Sequence, residues 1–107
     1  MKQEDFIMIM VTVGKEEEAT EIARLLVGTK LAACVNIVPG IRSIYRWKGE
    51  ICDDPEILCI IKTRNVLLQQ VMEAVKNIHS YEVPEIISLR IDEGSDDYLQ
   101  WLATETS

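Results

Sequence analysis

The 107-residue sequence predicts an α+β domain, one antiparallel sheet carrying two helices on one face, with an extended β-hairpin and a short C-terminal helix. Three observations lead there. Apolar runs of strand length, rich in Ile and Val, alternate with two stretches whose apolar residues recur at helical spacing. Pro39-Gly40 and Lys48-Gly49 punctuate the middle of the chain, bending one long strand and then turning it back. The strands Phe6 to Val11 and Ile57 to Ile61 scarcely alternate between apolar and polar residues, so both of their faces must be covered.

Phe6 to Val13 reads as the first strand, interrupted by Gly14. A helix follows, because Ala19, Ile22, Ala23 and Leu26 fall on one stripe. Glu16, Glu17 and Glu18 sit in its first turn, where the helix dipole favours negative charge, and Gly28 suggests its end. Leu31 to Val38 and Ile41 to Trp47 read as one long strand kinked at Pro39-Gly40. Lys48-Gly49 is a tight turn into Glu50 to Cys52, and Asp53-Asp54-Pro55 reads as a break before the next strand, Glu56 to Thr63. Asn65 is placed to cap a second helix whose apolar stripe is Leu67, Val71, Ala74, Val75 and Ile78. The fourth strand runs from Glu85 to Ile91 with Pro84 at its start, and Gly94-Ser95 open a last helix through about Ala103.

This order, β-α-β-β-α-β with an added hairpin and terminal helix, is the ferredoxin-like plan. Its second sheet face is normally wet, yet the strands here are apolar on both sides, and only one short helix is left to cover it. The pattern therefore predicts a closed symmetric oligomer. The hairpin from Ile41 to Cys52 adds to this, since an edge carrying Ile44, Tyr45 and Trp47 invites aggregation unless a neighbour pairs with it.

Residues 1–107 read as a single domain, because no repeat, linker or low-complexity tract divides them. At 48% apolar and 27% charged residues the chain is neither disordered nor membrane-spanning. Met1 to Asp5 lack the features of a secretory signal, and the three cysteines, Cys34, Cys52 and Cys59, lack paired spacing, so the expected compartment is the cytoplasm with reduced thiols. Of these, Cys34 and Cys59 read as strand-core residues. A net charge of −7 repels a phosphate backbone, which argues against nucleic acid as a partner.

No catalytic machinery is recognisable. His79 is the only histidine, no G-x-S-x-G elbow exists, and Gly14-Lys15 lacks the pattern of a phosphate loop. Arg42, Arg46 and Lys48 alternate along one strand and read as a solvated or interface-facing surface. His79, Tyr81, Glu82 and Glu85 place an imidazole, a phenol and two carboxylates in seven residues between a helix and a strand.

Leu31-Ala32-Ala33-Cys34-Val35-Asn36-Ile37, Ser43-Ile44-Tyr45, Gly49-Glu50-Ile51, Ile61-Lys62-Thr63 and His79-Ser80-Tyr81-Glu82-Val83-Pro84-Glu85-Ile86 occur in order, closed by Tyr98-Leu99 and Trp101-Leu102. Together they resemble the CutA divalent-cation tolerance family over nearly the whole chain. The resemblance implies a homotrimer related in architecture to the P-II signalling proteins, non-enzymatic, linked to metal tolerance and to copper. It also implies two departures. Ser80 stands where the family usually has Pro, and of three positions to which copper binding is attributed, aligned with Val11, Ile78 and His79, only His79 keeps a ligating side chain.

The resulting expectation is a homotrimer of divalent-cation tolerance that needs no cofactor and binds copper or another divalent ion, with His79 as the metal ligand. A cleft between subunits is expected to draw on Trp47, Glu56, Lys62, Tyr81 and Glu85. The alternative is a P-II-like signalling module binding a small anionic metabolite there, which Lys62 with Arg42 or Arg46 facing the cleft would favour.

Overall fold

Along the first strand, β1 (Phe6–Val13), Ile7, Ile9, Val11 and Val13 are at most 3% exposed, while Phe6, Met8, Met10 and Thr12 between them are half-buried. Strand geometry sends alternate side chains to opposite faces, so one nearly continuous apolar run serves two surfaces. The computed structural model describes residues 5–107, so the reading made on Met1 to Glu4 lies outside the described residues.

The further elements are α1 (Glu16–Gly28), β2 (Cys34–Trp47), β3 (Glu50–Arg64), a 3-10 turn (Asn65–Leu67), α2 (Leu68–Ile78), β4 (Ile86–Ile91) and α3 (Asp96–Glu105). The sheet order is β2-β3-β1-β4 with every neighbouring pair antiparallel, which is the ferredoxin-like order. Ala19, Ile22 and Leu26 of α1 and Val71 and Val75 of α2 are fully buried in the core with the inward residues of β1 and β3. Each large side chain so buried contributes about 1.5–3 kcal/mol.

Several boundaries differ from expectation for local reasons. The second strand starts at Cys34 rather than Leu31, because the N–H groups of Leu31 and Ala32 both donate to the Leu26 carbonyl and close the end of α1. Asp53-Asp54-Pro55 does not break β3. Arg42 and Tyr45 on β2 hold Asp53 and Asp54 by side-chain bonds, and Pro55 lies beyond the last β1 pairing, Val13 with Ile57, where β3 has a neighbour on one side only. Asn65 does not cap α2 with its side chain; it opens the 3-10 turn, its N–H donating to the Asp5 carbonyl at 3.0 Å. Ser95 does cap α3, accepting from the Tyr98 N–H at 3.3 Å, and that helix reaches Glu105.

The bend and the turn fall where expected. A register shift lies between Val38 and Ile41, and Lys48 and Gly49, at φ 51° and 82°, form a two-residue turn between Trp47 and its partner Glu50. Positive φ at both positions matches the right-handed twist of the strands, and glycine meets it without steric cost.

Lys62 shares a sheet face with Leu58 and Ile60, and its ammonium lies 5.9 Å from the centre of the Tyr98 ring. That puts α3 on the face opposite α1 and α2, held by fully buried Leu102 and by the Arg64 guanidinium, which donates to the Thr106 hydroxyl at 2.8 Å. The helix does not close that face. Met8, Met10, Leu58 and Ile60 stay half-buried or nearly so, and Ile87 and Leu89 are 52% and 44% exposed.

Candidate functional site

The site is built around the end of α2. His79 leaves the helix in an extended conformation, its N–H still donating to the Val75 carbonyl at 2.8 Å, and its ring turns inward. Nε2 lies 2.7 Å from the Thr12 carbonyl oxygen, which can only accept, so Nε2 carries the proton and donates. Nδ1 then accepts from the Tyr81 N–H at 3.1 Å. These partners assign a neutral imidazole with both nitrogens engaged, fastening the loop after α2 to β1.

Glu18 of α1 secures the same loop from the other side. Its carboxylate accepts from the Ser80 N–H at 3.0 Å and the Ser80 hydroxyl at 3.4 Å, and lies 3.8 Å from His79 Nδ1. The Ser80 N–H, which a proline would lack, is therefore in use.

Tyr81 follows, its ring centre 4.7 Å from that of His79. Its hydroxyl donates to Glu56 Oε2 at 2.7 Å across the top of Gly14, where a Cβ would stand 2.9 Å from the phenol oxygen. Any larger residue there would have to displace the Tyr81 hydroxyl. Burial first, and then the Glu56 carboxylate, push the Tyr81 phenol well above its ordinary pKa. Glu56 is only 6% exposed. No buried side-chain oxygen among the described residues lacks a hydrogen bond, so the second Glu56 oxygen, which has none, opens to solvent.

Glu56 lines a cleft of about 740 Å³ between the β2–β3 hairpin and the loop after α2. Of the five residues expected to form a cleft, Trp47, Glu56, Tyr81 and Glu85 line this one. Lys62 does not; strand parity puts it under Tyr98 on the α3 side of the sheet. Glu82 and Tyr45 line the cleft too. The Tyr45 hydroxyl donates to Asp54 at 2.7 Å, which pushes its phenol up to about 12.

Arg42 also borders the cleft, but both arms of its guanidinium bind Asp53, at 2.8 and 2.6 Å, and the pair holds the Asp53 carboxyl below its usual range. Its charge is thus matched. The remaining charged lining, Glu56, Glu82 and Glu85, is acidic, so the cleft attracts cations. Among the described residues no group of three or more His, Cys, Asp or Glu side chains converges closely enough to hold a metal ion. Cys34, expected in the strand core, is only half-buried like Cys52, whereas burial raises the thiol pKa of Cys59. Among the described residues no helix is long and apolar enough to cross a membrane.

Sequence reasoning missed Glu18 and Gly14. Glu18 reads as one of three interchangeable acids in a first turn, and Gly14 as a strand end; nothing local distinguishes either.

The family model described as CutA1 divalent ion tolerance protein matches residues 7–105. The divalent-cation tolerance protein CutA of Thermus thermophilus is 50% identical over 99 residues, covering 92% of this chain and 96% of that protein. A chloroplastic CutA protein of Arabidopsis thaliana is 51% identical over 100 residues; they cover 94% of this chain but only 55% of the plant protein, so this chain spans about half its length. The solved structure of a divalent cation tolerance protein from Thermus thermophilus superposes with a TM-score of 0.92 at 48% identity, covering 95% of this chain and 99% of that one. Likeness of this extent in both sequence and fold is decisive: the chain belongs to the CutA1 divalent ion tolerance family.

Proposed function

We propose that this chain is a non-enzymatic protein of divalent-cation tolerance that works as a homotrimer and takes copper or another divalent ion at the acidic cleft. The observation that carries the reading is the lining itself, where Glu56, Glu82 and Glu85 face a cleft whose one arginine is neutralised, in a chain of a divalent ion tolerance family. Trimerisation is supported by the apolar face of Met10, Ile60 and Ile87, which the described residues leave half-buried or exposed. Carboxylates alone bind transition ions weakly, and a partner subunit would complete the ligand set. His79 enters as the chain's single imidazole, through Nδ1 beside Glu18. Ligation there breaks the Tyr81 N–H bond, at about 1 kcal/mol. Residence in the cytoplasm belongs to the same proposal.

Copper titration of the parent, His79→Ala and Glu56→Gln proteins tests the metal. Binding weakened by Glu56→Gln supports the cleft, weakening by His79→Ala alone moves the ion to the buried imidazole outside it, and unchanged binding in both overturns the metal reading. Sedimentation equilibrium returning 12.2 kDa would overturn the trimer. The anion-binding alternative is not favoured, since Arg42 is held by Asp53 and Lys62 lies outside the cleft.

A further inference from the structure

We infer that the cleft is a binding site for an organic ammonium ion, specifically a primary diamine or polyamine, and that Lys48 is its built-in competitor. The inference rests on the cleft being a cation site, but not on that cation being a metal.

Glu56 supplies the anchor. The residue is more than nine-tenths buried and lines the cleft, one carboxylate oxygen is fixed by Tyr81, and the other, which has no hydrogen bond and is not fully buried, is left as an acceptor for an N–H donor. The rings of Tyr45, Trp47 and Tyr81 line the same space, and aromatic rings attract alkylammonium groups as well as packing against the methylenes between them. A metal ion needs several ligands at fixed distances, and among the described residues no such group converges. An ammonium group needs one carboxylate and a ring, and both are present. Size points the same way. At about 30 Å³ per water the cleft has room for on the order of twenty waters, far more than one hydrated ion requires and typical of a small organic ligand.

The chain itself demonstrates the chemistry. Lys48, at the tip of the hairpin, holds its primary ammonium 5.5 Å from the centre of the Trp47 ring and 3.5 Å from Glu82 Oε2. Trp47 and Glu82 both line the cleft, whereas Lys48 does not, so an alkylammonium group already sits at its rim against two of its lining residues. Both side chains of that pair are 70% exposed, so the contact is weak and a ligand displaces it at little cost. A diamine would place one ammonium at Glu56 and the other at the Trp47–Glu82 corner in place of Lys48. Arg42 does not oppose this, because Asp53 neutralises it.

The intact protein, carrying Trp101→Phe so that Trp47 is the sole indole, is titrated with diaminobutane and with butylamine while fluorescence and calorimetry are followed. Diaminobutane should bind about tenfold or more tighter than butylamine, and Glu56→Gln should weaken it about tenfold. Lys48→Met, an exposed and structurally mild change, should tighten it about two- to fivefold. Equal affinity for the two amines, no effect of Glu56→Gln in a protein with an unaltered circular dichroism spectrum, or weaker binding in Lys48→Met would each overturn the inference. A parallel copper titration separates the two readings. Copper bound without diamine binding removes this inference and leaves the metal proposal, whereas diamine bound without copper does the reverse.

Discussion

On the helix side of the sheet Ile9, Val11 and Ile61 are fully buried, whereas Met10 and Ile60 on the same strands, and Ile87 beside them, are half-buried or exposed on the other side. The residue types are alike, and their surroundings differ because two helices cover one face while α3 covers only the Lys62–Arg64 end of the other. Apolar character thus marks surface that must leave water without saying what will cover it. The first face is satisfied by the chain, and the second stays apolar and part-exposed, which is where the proposed assembly would seat another copy.

Four substitutions break or sharpen this contrast, and each is measured at fixed protomer concentration because the proposed assembly would contribute to stability. Ile9→Ala opens a cavity in the covered face and should cost about 2–5 kcal/mol in denaturant unfolding. A loss under about 1 kcal/mol would mean that this face is not the tight core described.

Ile60→Asp places a charge on the uncovered face. Assembly should weaken at least about tenfold, seen as a 12.2 kDa species in sedimentation, with the far-ultraviolet circular dichroism spectrum retained. An intact oligomer in that variant would move the interface off this face.

Tyr81→Phe removes the donor to Glu56 and should cost about 1–2 kcal/mol at neutral pH. It also changes the alkaline limb. The folded Tyr81 pKa is raised, so its contribution is fully present below the unfolded value of about 10 and is lost as pH rises toward the folded one. The parent should therefore lose stability more steeply above about pH 10 than Tyr81→Phe, and parallel slopes would sever the phenol from the fold.

Arg42→Ala should have the smallest effect, no resolved change in melting temperature at neutral pH, because the Arg42–Asp53 pair is solvent-exposed. The lowered Asp53 pKa means that whatever the pair contributes is present above the ordinary carboxylate range and disappears as pH falls through the folded value. A large neutral-pH loss in this variant would make the hairpin edge more than a solvated surface.

Much of the fold is legible in the order of residues alone. The apolar stripe of α2, the Lys48-Gly49 turn and the kink at Pro39-Gly40 each depend on residues a few positions apart, and each stands in the fold, except that Leu67 falls in the 3-10 turn and Leu68 packs on the core in its place. The double-sided apolar character of β1 is legible for the same reason. Of the five residues expected at a cleft between subunits, Trp47, Glu56, Tyr81 and Glu85 share a cleft within one chain, since three of them flank the turn and the helix-to-strand connection where functional groups gather. Lys62 falls outside it because its direction depends on strand parity and on where α3 comes to rest.

By itself, then, the sequence determined the order and type of the elements, the faces that must leave water and the acidic, aromatic character of the hairpin and the α2–β4 connection. These follow from local conformational preference and the periods of helix and strand. Only the tertiary structure decided that Glu18 would hold Ser80 62 positions away, that Tyr81 would cross Gly14 to reach Glu56, and that the His79 ring would spend both nitrogens on backbone groups. Such contacts depend on sheet register and on how helices settle against it, and no run of neighbouring residues encodes either.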